Sequence, residues 1–150
     1  MAIERTLVLL KPDAVQRGVI GAILTRYEQR GLKIAAMKLA TITEEQARQH
    51  YAEHVNKPFF PPLLQFITSG PSVQLVLEGS DAIKVVRDTN GSTNPSAAAP
   101  GSIRADFGLT IDFNLVHGSD GEEAAVREIA IYFNEGEINS YQRAIDTWIS

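Results

Sequence analysis

The seven residues Asn114–Asp120 read NLVHGSD, a short apolar run followed by a histidine, a glycine and two residue types that often cap helices. The apolar run predicts the end of a buried strand, and Ser119 followed by Glu122 matches the capping box of a new helix. His117 is therefore predicted to lie at a strand-to-helix junction, where helix N-termini favour anions such as phosphate. A largely neutral imidazole has a lone pair that can attack phosphorus, but a structural histidine is the open alternative.

Outward from this junction, the sequence alternates between predicted strands and predicted helices. Apolar runs predict strands up to Leu10, from Leu32 to Ile42, over 72–79 (SVQLVLEG) and over 109–116 (LTIDFNLV). Helical spacing or capping residues predict helices from Ile20 to Gly31, from Thr43 to about His54, from Pro61 to Gly70, over 81–88 (DAIKVVRD) and after Ser119. This alternation taken alone favours βαβ units and a parallel sheet, although the pattern does not determine strand direction.

The last predicted helix and the C-terminal tail carry two further expectations. Helical spacing assigns the inner face of that helix to Val126, Ile129, Ala130 and Phe133. The tail, 141–150 (YQRAIDTWIS), predicts a final helical turn or two that docks Trp148.

The amino-acid composition limits the classes of protein to which this chain can belong. A chain of 150 residues with 44% hydrophobic content predicts one domain over 1–150 with a proper core. The net charge of −4 gives no support for a nucleic-acid partner, and the absence of cysteine excludes disulfides and thiol nucleophiles. The apolar run before Lys11 is too short for a signal-peptide core or a membrane span, so we expect a cytoplasmic protein without a membrane partner.

Cations at the ends of predicted elements form a second group of candidate site residues. Lys11 ends a strand just before a proline, and Arg87 and Arg104 flank the Gly- and Pro-rich segment 91–102. Such side chains can converge on a polyphosphate, or they can be separate solvated charges. Neither a GxxxxGK[ST] nor a GxGxxG motif is present, so any phosphate would be bound by side chains.

Two histidines and two phenylalanines can each be interpreted in two ways. His50 and His54 are four residues apart on one predicted helix, the spacing of two metal ligands, with His117 as a third ligand, although such pairs are commonly exposed. Phe59 and Phe60 lie between prolines, where a ring can stack on a nucleobase or enter the core. The sequence therefore allows both a metal site and a nucleotide site.

Taken together, several segments resemble the nucleoside diphosphate kinase family. They follow one another in the family's order from about Glu4 to Trp148: TLVLLKPDAVQRG (6–18), KPFFPPLL (57–64), SGPSVQLVLEG (69–79), GSTNPSAAAPGSIRADF (91–107) and NLVHGSD (114–120). The pairing of NxxHGSD with KPD is the most specific feature. The resemblance implies an α+β fold, a ferredoxin-like α/β sandwich with a four-stranded antiparallel sheet covered by helices, in place of a parallel sheet.

The resemblance also implies an activity. It implies reversible transfer of the γ-phosphoryl group from a nucleoside triphosphate to a nucleoside diphosphate, with ATP, GTP, ADP and GDP among the substrates. The transfer would follow a ping-pong mechanism through a phosphohistidine at Nδ1 of His117. Mg²⁺ would be the cofactor, carried mainly by the nucleotide phosphates rather than by metal ligands of the protein. A homo-oligomer, hexamer or tetramer, is implied as well.

By the same resemblance, a first set of side chains would act on the transferring phosphoryl group. Lys11 and Tyr51 would steady that group, and Glu128 would orient His117 through a hydrogen bond. Ser119 would complete the helix start beside the phosphate.

A second set would bind the nucleotide. The distal phosphates would be held by Arg87, Thr93 and Arg104. Phe59 would stack on the base with Ile111 opposite, and Asn114 would lie near the ribose 3′-hydroxyl and Lys11. This chain departs from the family at 88–91, where DTNG replaces a usual apolar pair before the glycine, which predicts a looser helix end beside Arg87.

Overall fold

The protein, described here by a computed structural model over residues 3–150, is built on one antiparallel sheet. Its strands are β1 (Ile3–Leu10), β2 (Lys33–Thr41), β3 (Pro71–Ser80) and β4 (Val116–Gly118), in the spatial order β2-β3-β1-β4. Every neighbouring pair is antiparallel. The ferredoxin-like sandwich is confirmed, and the parallel sheet is wrong because β3 inserts between β1 and β2 and separates them.

Seven helices accompany the sheet within residues 3–150. They are α1 (Pro12–Gln16), α2 (Ile20–Gln29), α3 (Glu44–His50), α4 (Phe60–Ile67), α5 (Ala82–Asn90), α6 (Ile103–Phe107) and α7 (Glu122–Tyr132). The predicted capping box at Thr43 is present, since its side chain and that of Gln46 each accept the other's backbone N–H. In this part of the chain no helix is long and apolar enough to cross a membrane.

The sheet separates two apolar clusters. Val8 and Leu10 of β1 face the cluster that includes α2 and α5, whereas Leu7 and Leu9 face the cluster that includes α3, α4 and α7. Successive side chains of a strand point to opposite faces, so a strand covered on both sides is apolar throughout. This burial explains why β1 has the continuous apolar run seen in the sequence.

The predicted strand over 109–116 is wrong for most of its length. Residues Ile111–Phe113 form a 3-10 turn, and only Val116–Gly118 pair with β1. Leu115 has a φ of 74°, a left-handed conformation that interrupts an extended chain. Its backbone N–H donates to Asp13 Oδ2 at 3.1 Å. The turn therefore ends where a buried carboxylate anchors it beside the start of β4.

The start of α7 and part of its inner face differ from the sequence prediction. The cap is Gly121 without a side-chain bond, and Ser119 is fully buried before the helix. The buried side chains of α7 are Ala124, Ala125, Glu128 and Tyr132, whereas Val126 is 73% exposed. Trp148 is 88% exposed rather than docked. Of the four predicted inner residues, Phe133 is buried and Ile129 packs against the core, whereas Val126 and Ala130 are exposed. The polar Glu128 is buried because its carboxylate finds hydrogen-bond donors there.

The unusual segment DTNG at 88–91 anchors the end of α5, so the predicted loose helix end is wrong. Asn90 is the last residue of α5 and is buried, and its Oδ1 accepts a hydrogen bond of 2.5 Å from the Tyr27 hydroxyl. Gly91 follows with a φ of 86°, and an added Cβ would lie 2.4 Å from Ser102 Oγ. The hydrogen bond between Tyr27 and Asn90 therefore holds the chain in place just beyond Arg87.

Candidate active site

A polar cavity of about 330 Å³ lies where the start of α1, the end of α3, the end of α5 and β4 meet. The structure brings to its lining most of the side chains predicted as site residues: Lys11, Tyr51, Arg87, Thr93, Arg104, Asn114, His117 and Glu128. Ser119 lies behind the lining, and Phe59 and Ile111 lie outside it.

The short strand β4 places the imidazole of His117. His117 pairs with Leu9 in β1, so its backbone is held by a central strand of the sheet. The next residue must be glycine, because a Cβ on Gly118 would lie 2.8 Å from Val86 Cγ1. The side chain of His117 is 21% exposed and lines the cavity. A rigid strand therefore presents a partly accessible imidazole to the cavity.

A buried carboxylate on α7 holds this imidazole. Glu128 Oε1 lies 2.7 Å from His117 Nε2 and also accepts a hydrogen bond of 2.7 Å from Ser119 Oγ. Burial alone would raise the pKa of Glu128, but the hydrogen bond and charge of His117, together with Ser119, hold that pKa below its usual value. The carboxylate is therefore ionised at neutral pH. It favours a hydrogen on His117 Nε2, which leaves Nδ1 as the nitrogen with the lone pair.

Lys11 supplies a cation that burial makes less basic. Its Nζ donates to Asn114 Oδ1 at 2.9 Å, and Asn114 Nδ2 donates to the Thr93 carbonyl at 3.0 Å. Burial and then the charge of Arg104 lower the pKa of Lys11 to about 8. An anion in this cavity would therefore relieve the charge repulsion between Lys11 and Arg104.

Arg104 is locked by the backbone around it. Its Nε, Nη1 and Nη2 donate to the carbonyls of Asn114, Gly91 and Val116 at 3.2, 2.6 and 2.6 Å. Arg87 makes one weaker contact, from Nη1 to the Gly118 carbonyl at 3.5 Å. The two guanidinium groups and Lys11 line one cavity, so the structure brings these three cations together rather than leaving them as separate solvated charges.

The structure does not bring together His50 and His54, the pair whose spacing also allowed a metal site. The helix α3 ends at His50, and His54 follows in a 3-10 turn, where its Nδ1 lies 3.1 Å from Lys57 Nζ. Instead, ligand-type atoms of His50, His117 and Glu128 all lie within 4.8 Å of one another. A hydrogen bond already accounts for the closeness of His117 and Glu128, so these groups need no ion.

His50 belongs to the site, and the sequence interpretation as an exposed residue is wrong. It is 6% exposed, and burial followed by the charge of His117 lowers its pKa to about 3. The signal that could have found it is its place three residues after Ala47 on the buried face of α3. Tyr51 stacks on the His50 ring at 4.5 Å, and burial raises the pKa of its hydroxyl.

The two phenylalanines between prolines take different positions. Phe60 is 2% exposed and enters the core, whereas Phe59 is 50% exposed. The ring of Phe59 lies 5.3 Å from that of His54, which lines the cavity. Ile111, in its 3-10 turn, is also about half exposed. Both residues are accessible to a planar ligand, and Phe59 lies next to the cavity through its contact with His54.

A ferredoxin-like fold that combines a carboxylate-held imidazole with three converging cations defines a class of protein, the phosphoryl-transfer enzymes. The nucleoside diphosphate kinase family model matches residues 4–138 of this chain. The chain belongs to the nucleoside diphosphate kinase family and is a phosphotransferase.

Known relatives match over almost their full length. The chain is 57% identical over 140 residues to the nucleoside diphosphate kinase of Methanosarcina barkeri, covering 93% of this chain and 94% of the relative. It is 53% identical over 146 residues to that of Archaeoglobus fulgidus, covering 97% of both. Among solved structures, a halophilic nucleoside diphosphate kinase from Halobacterium salinarum in complex with CDP superposes with a TM-score of 0.96 and 49% identity, covering 99% of each chain. A family protein from Babesia bovis gives 0.95 and 45%, covering 98% of this chain and 99% of the other.

Proposed function

We propose that this chain transfers the γ-phosphoryl group of a nucleoside triphosphate to a nucleoside diphosphate by a ping-pong mechanism through a phosphohistidine at His117. One observation carries the proposal: Glu128 holds Nε2 of His117 at 2.7 Å. Nδ1 is then the free nitrogen of a ring that lines a cavity rich in cations, and it has no hydrogen-bond partner among residues 3–150.

The reaction has two symmetric halves. In the first, the lone pair of His117 Nδ1 attacks the γ-phosphorus, an Nδ1–P bond forms, and the bond from phosphorus to the β-phosphate oxygen breaks. The nucleoside diphosphate leaves, and the hydrogen on Nε2 stays in its bond to Glu128. In the second, a terminal oxygen of the incoming diphosphate attacks phosphorus and the Nδ1–P bond breaks. Since both nucleotides use one cavity in turn, no second nucleotide site is needed.

Phosphoryl transfer depends mainly on positioning and charge stabilisation, which the cations of the cavity supply. Lys11 and Tyr51 steady the transferring group. The distal phosphates are bound by Arg87, Thr93 and Arg104. Asn114, which already binds Lys11 Nζ, lies near the ribose 3′-hydroxyl. The locked guanidinium of Arg104 supports this role, because a group that is already fixed loses little entropy when it binds a phosphate.

Mg²⁺ fits this site as an ion that arrives with the nucleotide. The buried carboxylate of the cavity, Glu128, is occupied by His117 and Ser119, whereas Glu53 and Asp120 are exposed. Mg²⁺ prefers phosphate oxygens and water over an all-protein cage. When bound, it supplies charge neutralisation on the phosphates.

Phe59 and Ile111 bind the base in this proposal, with Phe59 stacking on one face and Ile111 opposite. The exposure of both side chains, and the contact of Phe59 with the cavity residue His54, support that role. Stacking tolerates every base because every base has a π-face. An enzyme that accepts many nucleotides therefore needs no reader of base edges.

The chain is further proposed to form a homo-oligomer, a hexamer or tetramer. Exposed Met37 and Leu39 on the edge strand β2, and exposed Leu109 and Phe113, support association. Native mass spectrometry of the intact protein measures the size directly, and a monomer would contradict this part. A cytoplasmic location stays a prediction from the sequence.

Intact-mass spectrometry without acid tests the mechanism, since phosphohistidine is acid-labile. The protein is mixed with Mg-ATP and then with excess GDP. We expect one phosphoryl adduct that appears with ATP, disappears with GDP and is absent in His117→Ala, whose fold is checked by circular dichroism. A binding-only relative would bind ATP without forming the adduct. ATP-to-GDP transfer near the parent rate in His117→Ala would also overturn the assignment.

A further inference from the structure

His50 contacts the His117–Glu128 pair but has no part in the reaction described above. It is the last residue of α3 and is buried. Its ring centroid lies 4.6 Å from that of His117, edge to face, and 4.5 Å from that of Tyr51, stacked. An imidazole buried in such a place needs hydrogen-bond partners for its nitrogens.

The first of these bonds sets the position of the ring hydrogen. Nδ1 of His50 lies 2.7 Å from the hydroxyl of Tyr132, which has no other hydrogen-bond partner among residues 3–150. A buried phenol donates its hydrogen to the acceptor it can reach, so Nδ1 is the acceptor. Burial keeps the imidazole neutral, with a pKa near 3. Its single hydrogen is therefore on Nε2.

This Nε2–H points to the carboxylate that holds the nucleophile. Nε2 of His50 is buried without a hydrogen-bond partner, and Glu128 Oε2 lies 3.7 Å away. The other oxygen, Oε1, already receives His117 and Ser119. A buried donor without an acceptor is unfavourable, and contacts of catalytic groups often tighten only when substrate binds.

We propose that His50 is a positioning residue for phosphoryl transfer, which donates from Nε2 to Glu128 Oε2 and so fixes the carboxylate against His117. The inference rests on the function proposed above. As Nδ1 of His117 binds phosphorus, positive charge grows on the imidazole ring. The hydrogen bond from its Nε2–H to Glu128 Oε1 then becomes stronger. A donor on Oε2 prevents the carboxylate from turning out of line. No bond to hydrogen breaks in this step.

Two substitutions of His50 separate its two nitrogens. In His50→Gln the amide nitrogen takes the place of Nε2, and in His50→Asn it takes the place of Nδ1. Both lose the ring and its packing, so the comparison isolates the donor towards Glu128. The rate of His117 phosphorylation by Mg-ATP is measured by rapid quench at saturating nucleotide, together with KM. We expect His50→Asn to slow the step about tenfold with KM unchanged within about twofold, because it loses one hydrogen bond to a charged group. His50→Gln should lie within about threefold of the parent.

Equal rates in the two variants, whether both high or both low, would overturn the inference and leave His50 as a packing residue. Tyr132→Phe keeps the His50 ring and frees its tautomer, so we expect a loss of about threefold, and an unchanged rate would refute the tautomer step. The result for the parent protein distinguishes a failure of the proposed function from a failure of the proposed role of His50. A parent that forms no adduct refutes the proposed function itself, whereas a normal parent with indistinguishable variants refutes only the role of His50.

Discussion

Replacing Glu128 by glutamine removes the charge beside His117 while keeping the shape of the side chain. Glu128 is 5% exposed, so solvent hardly screens it. A unit charge about 4 Å from the ring centre interacts by roughly 4 kcal/mol at an effective dielectric constant of about 20. If about half a charge develops on the ring in the transition state, roughly 2 kcal/mol is lost, which corresponds to about thirtyfold in rate.

Single-turnover phosphorylation of His117 by Mg-ATP, followed by rapid quench, measures this loss free of product release. The matched control is Glu123→Gln, which removes one charge from the same helix α7 at a side chain that is 92% exposed. We expect Glu128→Gln to be about thirtyfold slower with similar nucleotide affinity, and the control to match the parent. A rate within twofold of the parent, or a change confined to KM, would refute the idea that the carboxylate stabilises charge on His117.

Because the pKa of Lys11 is about 8 in the folded protein, we expect kcat/KM to fall as pH rises through that value. Lys11→Arg should abolish this fall, because arginine stays charged. An unchanged pH profile in that variant would show that Lys11 is not the group that titrates. Between pH 8 and the ordinary Lys11 pKa of 10.5 the unfolded chain binds more protons, so the free energy of unfolding measured with urea should rise by about 3 kcal/mol across that window through this group alone. Phe59→Ala should raise KM for nucleotides about tenfold and leave saturated kcat near the parent value, since stacking on one base contributes about 1–3 kcal/mol; a kcat defect with unchanged affinity would argue against stacking. A chelator selective for transition metals, with Mg²⁺ in excess, should not change activity, and a loss of activity would instead support a catalytic metal ion at His50, His117 and Glu128.

Much of the secondary structure follows from signals within a few residues of each other. The apolar run that ends at Leu10, before Lys11 and Pro12, predicted β1, and Thr43 with Gln46 predicted the start of α3. The cations at element ends, such as Lys11 and Arg87, were candidates from their positions alone. The strand predicted over 109–116 is wrong although the alternating pattern of this segment resembles a strand. Leu115 turns the chain, and the residues before it pair with no strand of the sheet.

The site could be predicted only in part. His117 stood out because an imidazole between a strand and a helix is unusual, and the family resemblance added Glu128. Ser119 looked like a helix cap, yet its hydroxyl binds a carboxylate on the buried face of α7. His50 looked exposed, because its burial depends on Tyr132 and Glu128, which are distant in sequence.

By itself, the sequence determined the local structure at β1 and α3, the candidate nucleophile and cations, and the family resemblance, because such signals reside in neighbouring residues. The tertiary structure alone decided that β3 separates β1 from β2 and that His50 is buried against Glu128. Strand neighbours and the desolvation of polar groups depend on contacts between distant segments. Those contacts exist only after the chain has folded, so no local pattern in this sequence encodes them.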